Sequence, residues 1–145
     1  MKTCDAVEME TVAVGKENII HLPLGLLGFE PIKKYLLLSN PDDAPFSWLQ
    51  VLEDPNLSFL VISPFEVLPE YEMDLPQEDV DFLKLFSPKD ALVLNIVTLR
   101  SGGQATVNLK GPVVLNRRTL MGKQVVLTNA ASYSLQYPLP TLDPT

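Results

Sequence analysis

Pro45-Phe46-Ser47-Trp48-Leu49-Gln50-Val51, followed by Leu57-Ser58-Phe59-Leu60-Val61-Ile62-Ser63-Pro64-Phe65, is the stretch that decides the fold. These two runs hold the only tryptophan and three of the six phenylalanines. Between them, Asp54-Pro55-Asn56 is a turn, because proline presets φ and asparagine tolerates left-handed backbone. Two apolar runs around a short turn predict an antiparallel hairpin whose second strand stops at Pro64. Aromatic side chains bury the most area per residue, so the hairpin is expected at the centre of the core. Trp48 is accordingly read as core packing rather than as a ligand contact.

Upstream of the hairpin, Val7 to Val14 alternates and suits a strand at an edge or with one wet face. Gly15 to Asn18 turns the chain into a short strand at Ile19 to Leu22, stopped by Pro23. Gly25 and Gly28 mark backbone that bends or passes close to another segment. Tyr35 to Ser39 reads as a buried strand. Downstream, Pro69 and Pro76 argue against a central strand, and a short helix is expected from Pro76 to Phe86 with Val80, Leu83 and Phe86 facing inward. Ala91 to Leu99 is apolar on both faces except at Asn95 and Thr98, as a central strand would be. Gln104 to Lys110 should pair back on it; Val113 to Asn116 and Lys123 to Thr128 complete the strands. From Tyr133 the chain should run extended along the surface.

These elements predict a mainly β protein: an antiparallel β barrel or sandwich of short strands, with one short helix near residues 76–86. One domain is expected over residues 1–145, with flexible ends at 1–5 and 138–145. At 46% hydrophobic and 20% charged residues the chain is globular rather than disordered. Asp5, Glu8 and Glu10 fall where the apolar core of a signal peptide would lie. No run approaches the ~18 apolar residues that span a bilayer, so a soluble cytoplasmic protein is expected. The single cysteine, Cys4, fits a reducing compartment and has no neighbours that would make it reactive.

Nothing in the chain assembles into a catalytic or metal motif. His21 is the only histidine, and no nucleophile and orienting acid accompany it in a recognisable motif. One Cys and one His cannot build a zinc site. The acids between Glu66 and Asp81 lack the spacing of a calcium loop. No enzyme activity, cofactor or metal is expected.

Charge is the informative feature. No Lys or Arg occurs from Tyr35 to Leu83, and that span carries eleven of the eighteen acids. From Lys84 to Lys123 there are seven basic residues against one acid, Asp90. A net charge of -7 argues against binding a phosphate backbone and favours a basic protein partner. Within the acidic span, Glu70-Tyr71-Glu72-Met73-Asp74 interleaves charge with apolar contact, as docking surfaces do.

Four stretches resemble a known family. They are Gly25-Leu26-Leu27-Gly28-Phe29-Glu30, Pro45 to Gln50, Ser63-Pro64-Phe65 with Pro69 to Asp74, and Asn108-Leu109-Lys110-Gly111-Pro112-Val113-Val114-Leu115-Asn116 with Arg118 and Gln124 to Leu127. Together, in this order and over about residues 7 to 137, they resemble FliW, the bacterial flagellar assembly factor. Glu70 stands where that family has Asp, and Val51 where it often has Ser.

The resemblance implies a non-enzymatic β protein that binds CsrA, a small RNA-binding translational repressor, and antagonises it. It also implies binding of flagellin, with export of flagellin freeing the factor to relieve repression of flagellin translation. By the same resemblance, Glu70, Tyr71, Glu72 and Asp74 are expected at the CsrA contact, with Asn108 and Pro112 completing the face.

Two other readings stand beside it. One is a small-ligand-binding or catalytic β-barrel module with an unrecognised pocket. The other is direct RNA binding through Arg100, Lys110, Arg117, Arg118 and Lys123, which the net charge and the lack of an aromatic-basic stacking motif disfavour.

Overall fold

The two runs around Asp54-Pro55-Asn56 form the hairpin in a computed structural model that describes residues 19–139. Its strands are Phe46–Val51 (β3) and Ser58–Ile62 (β4), in register from Phe46 opposite Ile62 to Gln50 opposite Ser58. Ahead of them come Ile19–His21 (β1) and Lys34–Ser39 (β2). After them come Ala91–Leu99 (β5), Ala105–Val107 (β6), Val113–Asn116 (β7), Gly122–Gln124 (β8) and Tyr137–Pro138 (β9). The strand expected at Val7 to Val14, the turn at Gly15 to Asn18 and Cys4 lie outside the described residues.

All ladders are antiparallel, in the order β9-β6-β5-β4-β3-β2-β1, with β7 on β5 and β8 on β7. The mainly β, antiparallel architecture is as expected, but among the described residues the sheet is not closed, which corrects the barrel alternative of the expected barrel or sandwich. Near the two ends there is only an isolated parallel bridge between His21 and Met121. β1 ends after three residues and Pro23 follows, which has no N–H to extend that contact into a ladder.

Among the described residues there are two α-helices where one helix was expected. Helix α2, Gln77–Leu83, buries Leu83, and Lys84 then takes a left-handed conformation with φ of 56°. That turn ends the helix early and leaves Phe86 81% exposed rather than inward. The unexpected helix α1, Pro64–Val67, starts where Ser63 Oγ accepts from the Phe65 N–H and proline occupies the first turn.

The central strand β5 carries three partners along its length. Ala91 to Leu94 pairs with β7, and Val97 to Leu99 pairs with β6. On the other side, Val61 and Ile62 of β4 meet Ile96 and Asn95. Because Val107 opposes Val97 and Val113 opposes Leu94, the five residues 108–112 face only Asn95 and Ile96. This is a large bulge, five residues against two, and a bulge re-aims side chains at a sheet that would otherwise run on. The apolar core fills both sides: Tyr35, Leu49, Val61 and Leu115 in one cluster, Tyr71, Leu83, Val107 and Leu109 in the other. Pro138 pairs with Thr106, and the Leu139 N–H reaches Ala105, so the chain is held to the sheet as far as the described residues go.

Candidate functional site

After α1, Pro69 prevents further helix and the chain runs out along the segment 128–133. The Glu72 N–H donates to Tyr133 Oη at 2.8 Å, and Asn129 Nδ2 donates back to the Glu72 carbonyl at 3.0 Å. The Asp74 N–H donates to Asn129 Oδ1 at 3.1 Å, while the Thr128 N–H and hydroxyl both donate to the Asp74 carbonyl. Glu72 and Asp74 are therefore pinned to the same neighbour, as alternate residues of a strand are, with side chains taking part in four of the five bonds.

The consequence is alternation. Glu70, Glu72 and Asp74 point to solvent, Met73 is half-buried, and Tyr71 is 3% exposed. In extended backbone, alternate residues lie about 7 Å apart, so Glu72 and Asp74 stand in one outward row, and exposed Glu70, in the turn that the Tyr71 N–H closes on the Leu68 carbonyl, precedes them in the strip.

Tyr71 ties the strip to the bulge. Its ring packs on Tyr133 at 4.6 Å between centroids and meets Phe65 edge-on at 6.0 Å. Its hydroxyl donates to the Leu109 carbonyl at 2.7 Å. Burial pushes its pKa up to about 12, the nearby Asn95 side chain works against that, and the neighbouring Tyr133 hydroxyl adds to it.

The bulge is built from its own residues. Asn108 Oδ1 accepts from the Lys110 and Gly111 N–H groups at 3.0 and 2.9 Å, an Asx turn. Asn95 Nδ2 donates to the Asn108 carbonyl at 2.8 Å. Asn95 is fully buried, and its Oδ1 has no donor among the described residues. Pro112 is buried and its carbonyl accepts from the Val125 N–H at 2.9 Å.

The six residues singled out from the sequence thus take different places. Glu70, Glu72 and Asp74 form the exposed strip. Tyr71 and Pro112 are buried, so they hold the surface without presenting it. Asn108 is half-buried at the lip of two adjoining apolar grooves of about 580 and 440 Å3. Leu27, Asn108, Gln124 and Leu135 line both, and none of residues 70–74 lines either. Trp48, read as core, is half-buried and lines the larger groove.

Sequence reasoning missed Asn129, Tyr133 and Thr128, the residues that shape the strip. Their partners are more than 50 residues away, and no local pattern could reveal them. Asp79 counts among the eleven acids of the span without basic residues, but it is not displayed. Asp79 is buried in an ion pair with Lys123, which fastens α2 to β8.

The three arginines are engaged. Arg118 pairs with Asp90 at 3.7 Å and lies over the Phe86 ring, Arg117 Nε donates to the Lys89 carbonyl, and Arg100 Nε donates to Thr106 Oγ1. Backbone N–H groups of Phe86 and Ser87, with Arg118 adding, hold the Asp90 carboxyl below the usual range against the cost of burial. Among the described residues no three His, Cys, Asp or Glu side chains could hold a metal, and no helix is long and apolar enough to cross a membrane.

A family model described as FliW protein matches residues 3–139. A flagellar assembly factor FliW of Caldicellulosiruptor saccharolyticus is 41% identical over 127 residues, covering 87% of this chain and 82% of that protein. One from Treponema denticola is 40% identical over 129 residues, covering 85% and 87%. The crystal structure of a flagellar assembly factor FliW superposes with a TM-score of 0.73 at 32% identity, covering 90% of this chain and 89% of the other. By sequence and by fold, the chain belongs to the FliW family of flagellar assembly factors.

Proposed function

We propose that this chain binds CsrA and antagonises its repression of flagellin translation, and that it also binds flagellin as a chaperone-like partner. It acts in the cytoplasm through protein contacts rather than catalysis. The observation that carries this reading is the outward strip of Glu70, Glu72 and Asp74, in a span with no Lys or Arg from Tyr35 to Leu83. A basic RNA-binding protein is the complement of such a strip.

Exposed ion pairs contribute only about 0–1 kcal/mol each. The strip therefore governs encounter rate, salt dependence and choice of partner more than raw affinity. Flagellin is assigned to the apolar grooves around Leu27, Val126 and Leu135, all largely exposed. Contiguous exposed apolar surface of this kind marks interaction sites.

Titration calorimetry against CsrA from the same organism, at low and moderate salt, tests the reading. Binding should weaken with salt, and the double substitution Glu72→Lys with Asp74→Lys should weaken it by more than about tenfold. Unchanged binding in that variant would remove the strip from the interface. Leu27→Ser should weaken flagellin binding and leave CsrA binding unaltered.

A further inference from the structure

The strip has a second edge. In extended backbone, successive residues aim their N–H and C=O groups to opposite sides. Those of Glu72 and Asp74 go to segment 128–133. Those of Met73 and Leu75 face the other way, and among the described residues they have no hydrogen-bond partner.

Beside this edge lies a groove of about 390 Å3, lined by Phe65, Met73, Leu75, Val80 and Phe86 among others. Phe65 is 47% exposed and Phe86 81%, although Phe65 meets Tyr71 edge-on and Arg118 lies over Phe86. One row of side chains along the run is acidic, and the other row, Met73 and Leu75, opens into this apolar groove.

We infer that the edge at Met73 and Leu75 accepts a strand from the partner, of about four to six residues, in which basic and apolar residues alternate. Backbone groups of the added strand bond to Met73 and Leu75. Its basic side chains fall on the same face as Glu70, Glu72 and Asp74. Its apolar side chains fall on the face of Met73 and enter the groove between Phe65 and Phe86. Charge selects the partner and the groove anchors it, the division of labour expected where surface ion pairs alone are weak. This deepens the CsrA reading by naming the form of the recognised segment, and it depends on that reading only for the partner's identity.

The probe is a fluorescent heptapeptide in which lysine alternates with leucine and valine, compared with a peptide of the same composition in two blocks. The alternating peptide should bind about tenfold more tightly. Met73→Pro removes the donor at the edge while remaining compatible with extended backbone, and Met73→Ala keeps the donor and trims the side chain. Met73→Pro should lose about tenfold in affinity and Met73→Ala about threefold.

N-methylating alternate amides of the peptide, on the unaltered protein, gives the same answer even if Met73→Pro fails to fold. One alternate set should abolish binding and the other should leave it. Equal effects of the two sets, equal binding of the block peptide, or equal losses in the two Met73 variants would overturn strand addition. CsrA binding that responds to the charge reversals but not to Met73→Pro would overturn it and leave the CsrA reading standing. Register-specific peptide binding without CsrA binding would do the reverse.

Discussion

Two stretches of this molecule leave regular strand geometry, Glu70 to Leu75 and Asn108 to Pro112, and they use that freedom in opposite ways. The second turns inward: Leu109, Gly111 and Pro112 are buried, and Asn108 closes the turn with its own side chain. The first turns outward: its acids reach solvent, and its backbone is held by Asn129, Tyr133 and Thr128. They meet at one hydrogen bond, from the Tyr71 hydroxyl to the Leu109 carbonyl. An interaction surface here is a displayed segment resting on a buried irregularity. Damage to the buried member should cost stability, and damage to the displayed member should cost binding.

The strongest way to break the comparison is Tyr71→Ala. It empties the space between Phe65 and Tyr133 and should destabilise by about 3–5 kcal/mol, lowering the melting temperature by roughly 10 °C in a Trp48 fluorescence melt. If the melt is unmoved, the strip does not rest on Tyr71.

Lys123→Ala should follow, at roughly 2–4 kcal/mol, because it leaves the buried Asp79 carboxylate without its partner. Chemical denaturation should show the loss in the midpoint, with CsrA affinity little changed. A comparable loss of affinity would mean that α2 belongs to the displayed surface.

Tyr71→Phe keeps the ring and removes the link, which should cost about 1–2 kcal/mol. It also sharpens the comparison through pH. A tyrosine whose folded pKa is raised to about 12 contributes stability that is present below its ordinary pKa near 10 and lost as pH rises through 12. Alkaline unfolding of the unaltered protein over that window should therefore be steeper than that of Tyr71→Phe. Identical alkaline curves would show that Tyr71 is not a titrating buried group.

The smallest effect on stability is expected from Glu72→Lys with Asp74→Lys, within about 0.5 kcal/mol, since both side chains are exposed. A large drop in the melting temperature would place these acids in the scaffold rather than in the display.

How much of this was legible depended on where the determining partners lie. β5 and β7 were read to the residue, because a run apolar on both faces and a stop at Gly111-Pro112 are local signals. The hairpin of β3 and β4 was legible for the same reason. Gln104 to Lys110 was read as one strand. It ends at Val107 because the Asn108 side chain captures the Lys110 and Gly111 N–H groups, a cue that was present but outvoted by alternation. Lys123 to Thr128 was also read too long: Pro112, opposite Val125 in register, accepts the Val125 N–H but has no N–H to return, so the ladder stops there.

Helix α1 had a readable start in Ser63-Pro64, but four residues are too few to leave a periodic trace. At the candidate site, the acids were visible in the sequence as charge. That Tyr71 faces inward followed from its contact with Leu109, 38 residues away, which no local pattern encodes.

The central claim is that the three outward carboxylates recognise a basic partner. Titration calorimetry of CsrA against the unaltered chain and against Glu72→Lys with Asp74→Lys, at two salt concentrations, tests it most directly. Binding that falls with salt in the unaltered chain, and is weaker by more than about tenfold with little salt dependence in the variant, is the predicted result. Equal affinity and equal salt dependence in the two proteins would contradict it.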